Sequence, residues 1–179
     1  PVAERNAHVM QTLNLSHKHY ALVTIHRSAN TDDPQNLARI VEILNRVDET
    51  VVFPVHPRTR QALARLNAQF PANVHLIEPV GYYDMMMLEK NARLIATDSG
   101  GVQREAYFNG TPCLTLRDET EWTETVEAGW NLLVGIQPEE VLHQWTAFAP
   151  QHERPQIFGD GHAAQKIADL IDENLFANA

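Results

Sequence analysis

The 179 residues are 44% hydrophobic and 21% charged, the balance of a globular chain with a sizeable core, which excludes a disordered one. A net charge of −9 excludes a general nucleic-acid or membrane-surface partner, so any anionic ligand must be met by a local cluster of Arg, His and helix N-termini. The single cysteine, Cys113 in "PCLTL", excludes an internal disulfide, and no apolar run is long enough to span a bilayer; both fit a cytoplasmic protein in which Cys113 serves packing.

The chain starts with "PVAERNAHVMQTLNL", which has neither an initiator Met nor a signal-peptide pattern, while Val2, Val9, Met10 and Leu13 keep helical spacing. It reads as the beginning of a domain cut from a longer protein. Strand-length apolar runs follow at Tyr20–Ile25, Val51–Val55, Val74–Ile77, Arg93–Thr97 and Cys113–Leu116, with a shorter one at Asn131–Gly135. Between them lie amphipathic stretches. "DPQNLARIVEILNRV" opens with Asp33 as N-cap and Pro34 as first helical residue, and "TRQALARLNAQF" is a second helix. The terminal "GDGHAAQKIADLIDENLF" reads as a Gly turn feeding a helix with Ile167, Leu170, Ile171 and Leu175 on one face, a cover for the sheet or a surface for another domain or copy. No repeat, low-complexity tract or charge block divides the chain, so residues 1–179 are treated as one domain. Strands apolar on both faces, alternating with helices, predict an α/β fold: a Rossmann-like, doubly wound parallel sheet with its ligand site beyond the C-terminal strand ends.

Every chemically suggestive segment falls at such an end. After the first strand comes "TIHRSAN", after the second "VHPRT", after the fourth "TDSGG" and after the fifth "LRDETEW", so His26, Arg27, His56, Arg58, Ser99 and Arg117 face one crevice. Each also has a structural alternative: His26 as a strand cap, His56 as a loop residue, Arg117 in a surface ion pair with Asp118. In "TDSGGVQREA" a strand turns abruptly into a helix. Its Ser-Gly-Gly step leaves the first N–H groups of the helix open, a place that attracts phosphate; alternatively Ser99 is only an N-cap and Gly100 and Gly101 relieve a tight corner. Glu105 lies six residues past Ser99, roughly 9 Å along a helix axis, too far for a bare phosphate but suited to a nucleotide whose ribose diol donates to the carboxylate. The alternative is an exposed helix Glu paired with Arg104.

"LVTIHRSANTDDPQNL", "VVFPVHPRT", "ATDSGGVQREAYFNGTPCLTLRDETEWTETVEAGWNLLVG" and "FGDGHAAQKIADLI" together resemble the C-terminal half of the non-hydrolysing UDP-N-acetylglucosamine 2-epimerases over nearly the whole chain. The resemblance implies the C-terminal half of a glycosyltransferase-B fold, with a partner N-terminal domain outside this chain. It implies that Ser99, Gly100 and Gly101 hold the diphosphate, that Glu105 takes the uridine ribose, and that His26 and Arg117 face the diphosphate and the departing UDP as catalytic groups. The implied reaction interconverts UDP-GlcNAc and UDP-ManNAc by elimination of UDP and re-addition with inversion at C2, with no redox cofactor and no metal; the carboxylates for C2 belong to the N-terminal half. His56 matches a histidine that in bacterial relatives lies near a second, regulatory UDP-sugar, and is kept as a cleft or regulatory residue. Ala29 stands where many relatives carry Glu, and the "HKH" of His17–His19 reads as exposed side chains rather than a metal pair. The implied partners are UDP and a UDP-N-acetylhexosamine, the missing domain and, for the whole protein, a second copy as a homodimer. Rival readings are a 2-epimerase of a modified UDP-sugar such as a 2,3-diacetamido uronic acid, a UDP-sugar glycosyltransferase, and a non-catalytic nucleotide-sugar-binding module.

Overall fold

The computed structural model describes residues 7–176. After a short helix α1 (Val9–Thr12) the strands β1 (Ala21–Thr24), β2 (Val51–Pro54), β3 (Val74–Ile77), β4 (Leu94–Thr97), β5 (Cys113–Thr115) and β6 (Asn131–Leu133) follow in turn. They form one parallel sheet in the order β3-β2-β1-β4-β5-β6. The strands sit where the apolar runs predict them, each shortened by a residue or two except β3. The expected doubly wound Rossmann-like sheet is present. Val2 lies outside the described residues.

Alternation along each strand splits the core in two. Ala21, Val23, Val51, Phe53, Leu94, Ala96 and Leu114 point to one face, where Leu37, Ile40, Ile43 and Leu44 of α3 (Pro34–Arg46), Leu63 of α4 (Pro57–Arg65) and Val141 and Trp145 of α8 (Pro138–Ala147) cover them. Leu22, Val52, Ile95 and Cys113 point to the other, against Val9 of α1, Leu88 of α5 (Tyr82–Asn91) and Val102 and Ala106 of α6 (Gly100–Asn109). Cys113 is buried as expected, and burial pushes its thiol up to about 12, which leaves it inert at neutral pH.

Local chemistry fixes the helix starts. Asp33 caps α3 by accepting from the N–H groups of Gln35 (2.8 Å) and Asn36 (3.4 Å), with Pro34 in the first turn. Helix α6 stops at Gly110, whose φ of +64° is the left-handed turn that favours glycine.

The final helix, α9 (Ala163–Phe176), departs from one expectation: it does not cover the sheet. Ile167, Leu170 and Ile171 are all exposed, so the apolar stripe lies on the surface; the side chain of Leu175 is outside the described residues.

Candidate functional site

The strand order reverses between β1 and β4, and the crevice at such a switch point is where parallel α/β sheets bind ligands. The β1 loop carries His26 and Arg27, with the short helix α2 (Ser28–Thr31); the β4 turn carries Asp98, Ser99 and Gly100. Asp98 binds the two together. Fully buried, it accepts from the backbone N–H of His26 (3.1 Å) and of Arg27 (3.0 Å) and from Asn30 Nδ2 (3.1 Å), and His26 Nδ1 lies 3.4 Å away. The imidazole therefore stands beside a buried carboxylate, with its side chain half exposed toward the crevice.

Ser99 is the N-cap of α6, its Oγ accepting from Val102 N–H at 3.4 Å, while its own N–H donates to Thr97 Oγ1 at 2.9 Å. The first intrahelical bond runs from Gln103 N–H to Ser99 O. Gly100 and Gly101 precede it, so their N–H groups are not used by the helix. The cap and the anion-receptive end are thus compatible rather than alternative. A Cβ on Gly100 would stand 3.2 Å from Trp122 Nε1 and 3.3 Å from Glu121 Oε2, which is why the position carries no side chain.

The loop after β5, which runs into the short helix α7 (Thr123–Glu127), closes over this helix end. Thr120 Oγ1 donates to buried Gln103 Oε1 (2.5 Å) and accepts from Trp122 N–H (3.0 Å), which seats the loop on α6. Arg117 then grips Glu121 with both terminal nitrogens (2.9 and 3.1 Å), and Arg27 Nη2 reaches the same carboxylate at 3.2 Å. The Arg117 and Arg27 guanidinium groups hold the Glu121 carboxyl down at about 2. The alternative surface pair of Arg117 with Asp118 does not form; Asp118 Oδ1 instead lies close to Gly135. Two guanidiniums and a helix N-terminus stand together at the mouth of the crevice, with Glu121 between the guanidiniums and Asp98 buried below.

His26 and His56 share a cavity of about 300 Å³ with Pro54, Pro79, Val80 and Met85. His56 caps α4, its Nδ1 accepting from Arg58 N–H at 3.3 Å, and its ring is exposed. Arg58 does not join the cluster: its guanidinium is taken by Asp32 and lines a separate cavity between α3 and α4. Glu105 is half-buried and sits one helical turn beyond Val102, which lines the histidine cavity. It does not pair with Arg104, which stacks 4.9 Å over the Trp122 ring, but meets Glu89 of α5.

The family model of UDP-N-acetylglucosamine 2-epimerase matches residues 2–172. The chain belongs to the UDP-N-acetylglucosamine 2-epimerase family. It is 44% identical over 95% of its length to a UDP-N-acetylglucosamine 2-epimerase homolog of Methanococcus maripaludis and 42% identical over 85% to the UDP-2,3-diacetamido-2,3-dideoxy-D-glucuronate 2-epimerase of Pseudomonas aeruginosa. The crystal structure of the Methanocaldococcus jannaschii UDP-GlcNAc 2-epimerase, in complex with UDP-GlcNAc and UDP, superposes with a TM-score of 0.82 at 39% identity, over 95% of this chain and 49% of that one. The chain spans about half the length of the curated relatives it matches.

In this epimerase-family fold, the glycosyltransferase-B kind of α/β half, the crevice holds groups that sequence reasoning passed over. Asp98 and Glu121 were both in view, in "TDSGG" and "RDETEW". What identifies Asp98 is its place between a strand end and an N-cap, where a carboxylate reaches the N–H groups of the neighbouring loop. Glu121, four residues after Arg117, carries no comparable local signal, because the loop has no regular periodicity. No helix among the described residues is long and apolar enough to cross a membrane.

Proposed function

We propose that this chain is the UDP-sugar-binding half of an enzyme that interconverts UDP-GlcNAc and UDP-ManNAc. The reading is carried by the β1–β4 crevice, where the Ser99-capped helix, His26 and the two arginines converge, in a chain whose Methanocaldococcus jannaschii relative is described in complex with UDP-GlcNAc and UDP. The diphosphate lies on the N–H groups of Gly100 and Gly101, and Glu105 accepts from the ribose diol. A carboxylate of a second, N-terminal domain removes the C2 proton as the C1–O bond breaks, which leaves a 2-acetamidoglucal and UDP. Re-addition of UDP to C1 and of a proton to the other face of C2 gives the epimer. The sum is redox-neutral, and its main demand on this half is to stabilise charge on departing UDP. His26, Arg117 and the helix N-terminus meet that demand, each donor of this kind contributing on the order of 10²- to 10³-fold in rate.

The decisive experiment is turnover of UDP-GlcNAc by the full-length protein in D₂O. Deuterium is expected at C2 of both epimers; epimerisation without label rules out the elimination route. Turnover of a UDP-2,3-diacetamido uronic acid in its place favours the second reading, which the 42% identity to the Pseudomonas aeruginosa enzyme supports. Glu105→Ala is expected to weaken UDP binding by about 1.5–3 kcal/mol, the loss of hydrogen bonds to a charged group. Calorimetry reads this directly, and an unchanged affinity with the fold intact removes the ribose contact.

A further inference from the structure

Besides Glu105, the interface of α5 and α6 contains a second carboxyl group. Glu89 of α5 has no exposed surface. Its backbone oxygen accepts from Thr111 Oγ1 at 2.8 Å and its Oε2 accepts from Asn109 Nδ2 at 3.3 Å, but its Oε1 is buried with no donor facing it. Asn109, which donates to Glu89, lies one helical turn beyond Glu105 on α6, so both project from the same face of that helix and the Glu105 carboxylate acts on Glu89 across the helix pair. Two carboxylates cannot bond to one another without a proton between them.

We propose that Glu89 is a positioning residue for nucleotide binding: as a neutral carboxylic acid it donates its proton to Glu105 and holds that carboxylate toward the ribose diol. The proposal rests on the reading of Glu105 as the ribose ligand. A half-buried Glu with three free side-chain torsions is a poor acceptor for two hydroxyls unless something fixes it. Glu89 does so from behind and adds no second charge to the diol site. The groups around it leave the proton in place. Glu105 and the neutral Asn109 come from α6, and Thr111 and the buried Cys113 thiol from the start of β5. The Lys18 ammonium is spent on the carbonyl oxygens of Lys90 and Ala92 and on Thr111 Oγ1. Burial, with the Glu105 charge adding to it, pushes the Glu89 carboxyl up to about 9. The donor is therefore present at neutral pH and lost as the pH passes that value.

The test compares UDP with 2′,3′-dideoxy-UDP by calorimetry on the full-length protein, as wild type, Glu89→Leu and Glu89→Gln, each checked for fold by circular dichroism. Wild type is expected to prefer UDP by about tenfold or more, a preference that Leu, of similar bulk but without a donor, reduces to about threefold or less and that the Gln amide restores. Above pH 9 the wild-type preference falls relative to that of Glu89→Gln, a ratio from which titration of the nucleobase cancels. If wild type prefers UDP but the Leu variant retains the full preference, Glu89 has no positioning role and the ribose contact of Glu105 stands. A pH response identical in wild type and Glu89→Gln overturns the proton donation. A wild type indifferent to the diol removes the ribose reading itself, and this proposal with it.

Discussion

Asp98→Ala is expected to destabilise the domain by about 3–5 kcal/mol, the usual cost of removing one partner from a buried, charge-assisted network. The carboxylate has no exposed surface, and the N–H groups of His26 and Arg27 and the amide of Asn30 all end on it. Without it these donors remain in place with no acceptor, and the His26 imidazole loses the charge 3.4 Å from its Nδ1. For a chain of this size the thermal midpoint drops by roughly 6–20 °C. UDP binding suffers separately, because the loop that Asp98 ties to the β4 turn carries both His26 and Arg27. Asp98→Asn separates the two effects. Its amide keeps an acceptor for part of the network but no charge for the imidazole, so stability recovers partly while turnover stays depressed. A thermal midpoint for Asp98→Ala within about 2 °C of wild type would show that the loop is held by something else.

The opposite sign is expected for Glu89→Gln, which should stabilise the protein at pH 7 by about 3 kcal/mol. In the unfolded chain Glu89 has its ordinary value of 4.5, whereas burial and then the Glu105 charge raise it to about 9 in the folded one. Between those values the folded state holds one proton more than the unfolded state. Stability therefore falls as the pH rises through this window, by about 1.4 kcal/mol per unit, and is highest below the unfolded value. From pH 4.5 to 7 the accumulated cost is about 3 kcal/mol, and glutamine, which has no proton to retain, does not carry it. Denaturant melts of wild type and variant at a series of pH values are expected to coincide near pH 4.5 and to diverge steadily above it. Parallel curves would mean that Glu89 is charged in the folded state.

The proposed function needs a strongly negative chain to accommodate an anion without an open basic surface. Arg27 and Arg117 are not free: Glu121 holds both in place over the α6 N-terminus. The guanidiniums are thus fixed before a diphosphate arrives, so little rotamer freedom is lost when it binds. In the proposed function, their remaining N–H donors and the backbone of Gly100 and Gly101 would supply the contacts.

The features legible in the amino-acid order are local and periodic. Alternating apolar runs place all six strands, Asp33-Pro34 starts a helix, and the Ser-Gly-Gly step marks the turn into α6. These signals are written within a few residues of backbone, where spacing alone decides which face is apolar and which N–H lacks a partner. The meeting of the loops after β1, β2, β4 and β5 at one end of the sheet is legible for the same reason, because parallel strands put every following loop there. Tertiary structure alone decided how the charges pair. Arg58 turns to Asp32 on the far side of α4, Arg117 takes Glu121 rather than Asp118, Asp98 reaches across about 70 residues to the β1 loop, and Glu89 meets Glu105 across two helices. The α9 stripe reads in sequence as either a sheet cover or a surface for another domain or copy, and the fold leaves Ile167, Leu170 and Ile171 exposed. Side-chain pairing depends on strand order and on burial, and neither has a period that a linear sequence displays.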